Sequence, residues 1–151
     1  MKKRKALITG INGQDGAYLA KLLLEKNYRV YGTCRRSTSE KFTRLKELKI
    51  FNKIILFDFD LLEMTNIYET IKAVMPNEVY NLAAQSFVPS SFSVPIVTSD
   101  INALGTIRLL EAIKNIEKKI RFYQASTSEM FGKVTQTPQN EKTPFYPRSP
   151  Y

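Results

Sequence analysis

An α/β fold, a Rossmann-type doubly wound parallel sheet, is what this sequence predicts, and three observations predict it. Apolar, β-rich segments alternate with helix-period segments along the chain. Three glycines, Gly10, Gly13 and Gly16, stand between the first such strand and the first helix. After the fifth strand the texture changes to a Ser/Thr/Pro-rich run of the kind that forms a long loop.

The strands are expected at residues 5–9, 29–34, 53–57, 78–82 and 119–124, and the helices at 15–26, 38–49, 64–74 and 97–116. In the last helix Ile101, Leu104, Ile107, Leu109, Leu110 and Ile113 fall mostly at three- and four-residue steps and are expected to form one buried face. Strands separated by helices pair in parallel through right-handed crossovers, so these five strands read as the first portion of a larger sheet. Residues 125–151 carry Ser126, Thr127, Ser128, Thr135, Thr137, Thr143 and Ser149, with prolines at 138, 144, 147 and 150. That run lies at the carboxyl end of a strand, where open α/β sheets bind ligands. No internal repeat or low-complexity tract is present.

Composition sets the outer limits. At 151 residues, 43% hydrophobic and 25% charged, the chain has the make-up of one globular domain and is short for a whole α/β enzyme. Its apolar runs are too short for a membrane span or a signal-peptide core. The single cysteine, Cys34, rules out an internal disulfide and suits a reducing cytoplasm. The net charge of +9 is uneven: residues 1–53 hold fourteen Lys/Arg against four Asp/Glu, and residues 54–151 hold nine against ten. The basic excess therefore accompanies the glycine turn, where an anionic ligand would draw on it. No helix-turn-helix, zinc or aromatic-basic pattern supports nucleic-acid binding, and no metal site is expected.

The glycine turn is the first functional motif. A tight strand-to-helix turn needs backbone angles that glycine reaches without a Cβ clash, and the helix behind it aims unpaired N–H groups and a positive dipole end at a pyrophosphate. Gly10, Asn12, Gly13, Gln14, Asp15 and Gly16 are accordingly candidate dinucleotide contacts. About twenty positions on, where an acidic residue would bond a ribose 2′-hydroxyl, the sequence has Arg35, Arg36 and Ser37. A guanidinium pair favours a 2′-phosphate, so the cofactor expected is NADP rather than NAD. The plain alternative is two solvent-facing arginines after a strand. Asp60 and Leu61 follow the third strand, placed to meet an adenine. Leu82, Ala83, Ala84, Gln85 and Ser86 follow the fourth, small enough to admit a dinucleotide and polar enough to hold ribose or substrate.

Further along, Thr127, Ser128 and Glu129 sit just past the fifth strand, and Tyr151 ends the sequence. Taken alone, Thr127 and Glu129 also fit a helix-capping turn. At this point the sequence resembles the extended short-chain dehydrogenase/reductase superfamily and, within it, the GDP-mannose 4,6-dehydratases. The resemblance is carried by residues 8–16, 35–37, 81–86, 105–112, 121–129 and 143–151, the 121–129 and 143–151 runs being the most specific. It implies a lyase that oxidises a GDP-sugar at C4, removes water across C5 and C6, and reduces C6, restoring its NADP each turnover. On that resemblance Tyr151 is the base at O4, Thr127 holds O4, Glu129 moves the C5 proton to the departing C6 hydroxyl, and Ser86 and Ser128 contact substrate.

A phenol titrates near pH 10, so such a base needs a neighbouring cation; the resemblance places a lysine four positions beyond Tyr151. It also implies further strands, a smaller C-terminal substrate domain and a homo-oligomer, with these 151 residues as an incomplete NADP-binding Rossmann domain. The basic stretch 35–49 is placed to meet a neighbouring subunit near the 2′-phosphate. Val97 and Phe87 depart from the family, standing where many relatives have a cofactor-contacting tyrosine and some a histidine. The substrate expected is GDP-mannose or a related GDP-sugar such as a GDP-heptose. An epimerase or reductase of the same superfamily, and a noncatalytic NADP-binding module, remain the alternatives.

Overall fold

Five parallel strands make the frame: β1 (Lys5–Thr9), β2 (Arg29–Cys34), β3 (Ile55–Asp58), β4 (Glu78–Asn81) and β5 (Arg121–Gln124), in the order β3-β2-β1-β4-β5. The computed structural model describes residues 3–37 and 42–151. The order reverses between β1 and β4, and that reversal opens a crevice at the carboxyl ends of the strands. β1 is central and covered on both sides: Ala6, Leu7, Ile8 and Thr9 are all fully buried. An unbroken apolar run is what a strand buried on both faces requires.

Helices pack on the two faces. α1 (Gln14–Glu25) buries Ala17, Ala20 and Leu23 against Ala6, Ile8 and Val30, with Leu45 of the short α2 (Thr43–Glu47) completing that core. On the other face α3 (Met64–Val74) sets Ile67, Ile71 and Val74 against Leu7, Val79, Leu109 and Ile113. α3 starts where the Glu63 carboxylate accepts from the backbone N–H groups of Thr65 and Asn66, at 3.2 and 3.1 Å. It ends at Met75 in a left-handed conformation (φ 45°), followed by Pro76.

Three sequence expectations are corrected. Of the helix expected at 38–49, residues 38–41 lie outside the described residues and within 42–49 the helix is Thr43–Glu47; Lys49 adopts φ 56° and a single 3₁₀ turn, Phe51–Lys53, pushes the start of β3 to Ile55. The helix expected at 97–116 begins at Pro95 and is preceded by a further helix. α4 (Val88–Ser93) and α5 (Pro95–Ser99) each carry proline in the first turn, and Val94, which precedes Pro95, is forced out of the helical region (φ −131°, ψ 58°). A π-helical turn, Asp100–Leu104, then joins α5 to α6 (Gly105–Ile116).

The expected buried face is also only half right. Ile101, Leu109 and Ile113 are buried, whereas Leu104, Ile107 and Leu110 are 49%, 53% and 43% exposed. This helix has two apolar stripes, and the inward one runs through Gly105 and Ala112, whose small side chains admit Leu61 and the sheet.

One hydroxyl ties the carboxyl ends of the strands together. Thr9 Oγ1, at the end of β1, donates to Asn81 Oδ1 at 2.6 Å and accepts from the backbone N–H groups of Leu82 and Ala83, both at 3.0 Å. Asn81 Nδ2 in turn donates to Gln124 Oε1 at 2.8 Å, linking β4 to β5. Thr9→Val keeps the shape and removes both acceptor and donor, leaving two N–H groups unpaired. The expected loss is about 2–3 kcal/mol of stability in urea unfolding, with Thr9→Ser losing less than half as much.

Candidate functional site

The glycine turn is built by close backbone approach. Gly10 has φ 66°, and a Cβ on it would lie 3.0 Å from the Ala83 backbone, so the turn after β1 and the segment after β4 touch directly. Gly13 N–H donates to Gly10 O at 2.9 Å, and Ile11 N–H donates to Thr33 O at 3.2 Å, closing the turn onto β2. At Gly16 a Cβ would come 2.5 Å from Gly10 O and 2.7 Å from Ile11 Cα, so only glycine lets α1 start this close to β1. Gly13 caps α1 with no side-chain bond. The first N–H groups of the helix therefore have no intrahelical partner and face the crevice with the positive end of the helix dipole.

Two clefts meet over this turn and share Gly10, Gly13, Leu82, Ala83, Ala84 and Ser86. The larger, about 930 Å³, extends over β2 and β3. Of the residues expected from sequence it is lined by Asn12, Arg35, Arg36, Ser37, Asp60 and Leu61 besides the shared ones. Asp60 is held by its neighbours: its Oδ1 accepts from Leu62 N–H at 3.0 Å and its own N–H donates to Asn66 Oδ1 at 3.0 Å. Leu61 is only 4% exposed, and its carbonyl accepts from Arg108, which also forms an ion pair with Asp100 at 2.8 Å.

The smaller cleft, about 280 Å³, runs toward β5 and is lined by Gln14, Asp15, Gly16, Gln124, Ser126 and Tyr151 besides the shared residues. The last residue of the chain thus lies against the first motif.

Gln85 lines neither cleft. Its N–H donates to Asn102 Oδ1 at 2.9 Å and its carbonyl accepts from Asn102 Nδ2 at 3.1 Å, so the π-helical turn grips the segment after β4. Thr127 and Glu129 also lie outside both clefts. Thr127 Oγ1 accepts from Glu129 N–H at 3.1 Å and caps a 3₁₀ turn, Ser128–Met130, so the capping reading of this pair holds. Glu129 Oε2 accepts from Ser149 Oγ at 3.4 Å, which brings the carboxylate beside the segment that carries Tyr151. Ser128 is exposed next to them.

Sequence reasoning missed two residues. Arg44, the second residue of α2, lines the larger cleft with Arg35 and Arg36, and its Nη1 donates to Asn12 O at 3.4 Å. Nothing in the sequence sets it apart from its basic neighbours. Thr33, in β2, carries a buried hydroxyl in the same cleft with no hydrogen-bond partner among the described residues. It reads in sequence as an ordinary strand residue. By contrast Tyr80, pushed up to about 12 by burial and then by its hydrogen bond to Glu78, lies outside both clefts. Among the described residues no group of His, Cys, Asp or Glu is arranged to hold a metal, and no helix is long and apolar enough to cross a membrane.

These features fit a dinucleotide: a glycine cradle that a Cβ would fill, a helix N-terminus behind it, and a cationic wall at one end. Comparison with known proteins agrees. The family model described as GDP-mannose 4,6 dehydratase matches residues 7–151. The GDP-mannose 4,6-dehydratase of Yersinia enterocolitica is 50% identical over 98% of this chain, and the human GDP-mannose 4,6 dehydratase 49% identical over 97%. The chain spans 42% and 41% of the lengths of those relatives. Among solved structures, UDP-glucose 4-epimerase from Brucella ovis in complex with NAD superposes with a TM-score of 0.84 at 24% identity, over 98% of this chain and 43% of that one, which shows the fold. The Bordetella bronchiseptica enzyme WbmH in complex with NAD⁺ superposes at 0.79 with 26% identity, over 99% and 49%. A glycine turn packed on the segment after β4, a parallel sheet of this order and a family match across almost the whole chain lead to one conclusion: this chain belongs to the GDP-mannose 4,6-dehydratase family.

Proposed function

We propose that these residues are the NADP-binding part of a longer GDP-mannose 4,6-dehydratase, a hydro-lyase that converts GDP-mannose to GDP-4-keto-6-deoxymannose. The observation that carries the reading is the continuous crevice from Arg35, Arg36 and Arg44 across the glycine turn to Tyr151, with Glu129 bonded to the same terminal segment. When bound there, NADP supplies a reversible two-electron acceptor, so oxidation at C4 and reduction at C6 balance within one turnover.

Each residue then has a definable task. The first N–H groups of α1, behind the Gly10–Gly13 turn, hold the pyrophosphate. Arg35 and Arg36, with Arg44 beside them, neutralise a 2′-phosphate; the two residues that directly follow β2 are these arginines and not a carboxylate. Tyr151 takes the proton from the sugar O4, and a cation beside it is needed to keep the phenol ionised near neutral pH. Thr127 Oγ1, already accepting from Glu129 N–H, keeps its own proton to donate to O4. Once C4 is a ketone the C5 proton is acidic, and Glu129 removes it and passes it to the departing C6 hydroxyl. Ser149, bonded to Oε2, steadies that carboxylate and leaves Oε1 to carry the proton. Ser86, open to both clefts, and Ser128 supply hydroxyls to the substrate, GDP-mannose or a related GDP-sugar.

Two further parts of the reading concern assembly and place. The exposed stripe of Leu104, Ile107 and Leu110, with Ile96 82% exposed beside it, supports a homo-oligomer. The single buried thiol of Cys34 supports a cytoplasmic location.

Incubation of the full-length protein with GDP-mannose and NADP⁺ is expected to yield a 4-keto-6-deoxy product with no net NADPH, followed by mass spectrometry and chromatography of the sugar nucleotide. Consumption of a different GDP-sugar alone would reassign the substrate. Glu129→Gln is expected to lower dehydration by about 100-fold or more while C4 oxidation persists; unchanged turnover would point to an epimerase or reductase instead. Replacing Arg35 and Arg36 together by Ala is expected to weaken NADP⁺ binding by about 10- to 100-fold, with NAD⁺ binding little altered, in a fluorescence or calorimetric titration. Equal losses for the two cofactors would remove the basis for NADP.

A further inference from the structure

Gly132, in the long loop after β5, lies outside both clefts, yet its backbone is closely enclosed. It has φ 50°, and a Cβ there would run into the carbonyl oxygen of Tyr146 and come within 3.0 Å of Pro147 Cα. The residues on either side of it bracket Tyr146 with backbone hydrogen bonds. Tyr146 N–H donates to Met130 O at 3.0 Å, and Lys133 N–H donates to Tyr146 O at 3.1 Å. The neighbouring rings of Phe131 and Phe145 meet edge-on at 5.3 Å and 67°. Beyond Tyr146 the chain has four residues before Tyr151, two of them prolines, Pro147 and Pro150, which fix φ and stiffen the link. The two fixed φ angles limit how much of a shift at Tyr146 the link can absorb before Ser149 and Tyr151.

We infer that Gly132 is a positioning residue: its side-chain-free, left-handed backbone clasps Tyr146 and so sets Tyr151 against the glycine turn and Ser149 against Glu129. The inference rests on the dehydratase reading for what Tyr151 and Glu129 do, and on geometry alone for the clasp. A side chain at 132 must push Tyr146 away, which opens both bracketing hydrogen bonds and displaces the phenol from the smaller cleft. Gly132 lies outside the glycine turn and the arginine wall, so the contacts expected to carry most of the cofactor's affinity stay in place. Misplacement of a reacting group by about 1 Å is enough to cost on the order of 100-fold in rate.

The test compares Gly132→Ala, Phe145→Ala and Tyr151→Phe in the full-length protein. Phe145 is 61% exposed, so its truncation loosens the clasp without opening the core. Amide hydrogen exchange at Lys133 and Tyr146 reads the clasp itself, independently of any activity. Exchange at both is expected to speed up in Gly132→Ala and, more weakly, in Phe145→Ala. The rate of C4 oxidation of GDP-mannose is expected to fall about tenfold or more in Gly132→Ala and less in Phe145→Ala. NADP⁺ Kd and GDP-mannose KM should stay within about twofold, and the pH profile of the rate should change. Faster exchange with a wild-type rate and pH profile in both variants would overturn the positioning role, as would a rate loss matched by an equal loss of NADP⁺ affinity. If Gly132→Ala does not fold, Phe145→Ala decides by the same criteria. A wild-type rate in Tyr151→Phe would overturn the dehydratase assignment of the phenol, and the exchange data would still decide whether the clasp exists.

Discussion

The hydroxyl of Thr9 is the point on which the crevice depends. It ends the central strand, is fully buried, and serves three partners: Asn81 Oδ1 as acceptor, and the N–H groups of Leu82 and Ala83 as donors. Those N–H groups belong to the residues that leave β4 at the reversal of strand order, where the chain has no further ladder to bond to. Satisfying them from β1 holds the 82–86 segment against Gly10, and the contact is tight enough that a Cβ at residue 10 would touch Ala83. The bond from Asn81 to Gln124 carries the same restraint across to β5, behind which Thr127 and Glu129 follow. One polar network thus sets the relative depth of the cofactor turn and the segment bearing the candidate acid and base.

Around that centre the site is made by backbone approach more than by side-chain contact. Gly10 and Gly16 let a turn and a helix come closer to their neighbours than any side chain would allow, and Gly132 does the same for the loop after β5. The glycines at the two ends of the crevice have different consequences. Those at the first turn let the start of α1 face the crevice, whereas Gly132 lets one loop segment dock on another and carries Tyr151 inward. Positive charge is gathered at one end, where Arg35 and Arg36 after β2 and Arg44 of α2 line the larger cleft.

Much of this was legible in the sequence, and the parts that were not share a cause. Strand centres and the glycine turn are local signals, and all five strands overlap their expected runs, with β3 shifted to Ile55–Asp58 and β5 starting at Arg121. Residues 43–47 were lost in a longer helical pattern because periodicity does not show where the 3₁₀ turn at Phe51–Lys53 takes over. α4 was missed although Pro89 and Pro95 mark helix starts, because a six-residue helix is too short for a clear period. The double stripe along the π-helical turn and α6 defeated the choice of buried face: Leu104, Ile107 and Leu110 recur at helical spacings, as do Ile101, Leu109 and Ile113. Arg44 and Asn102 carry no sequence signal at all, since each acts on a residue far away along the chain, Asn12 and Gln85 respectively.

By itself the sequence determined the alternation of strand and helix, the order of the motifs and the residue types available for chemistry, because these depend on neighbours within a turn or a strand. Only the tertiary structure decided which of those residues meet. Thr9 reaches Asn81 across 72 positions, and Tyr151 reaches the turn at Gly10–Gly16 only because the chain folds back at Gly132. Such meetings are set by how strands are ordered and how closely backbones can pack, quantities that no local pattern contains.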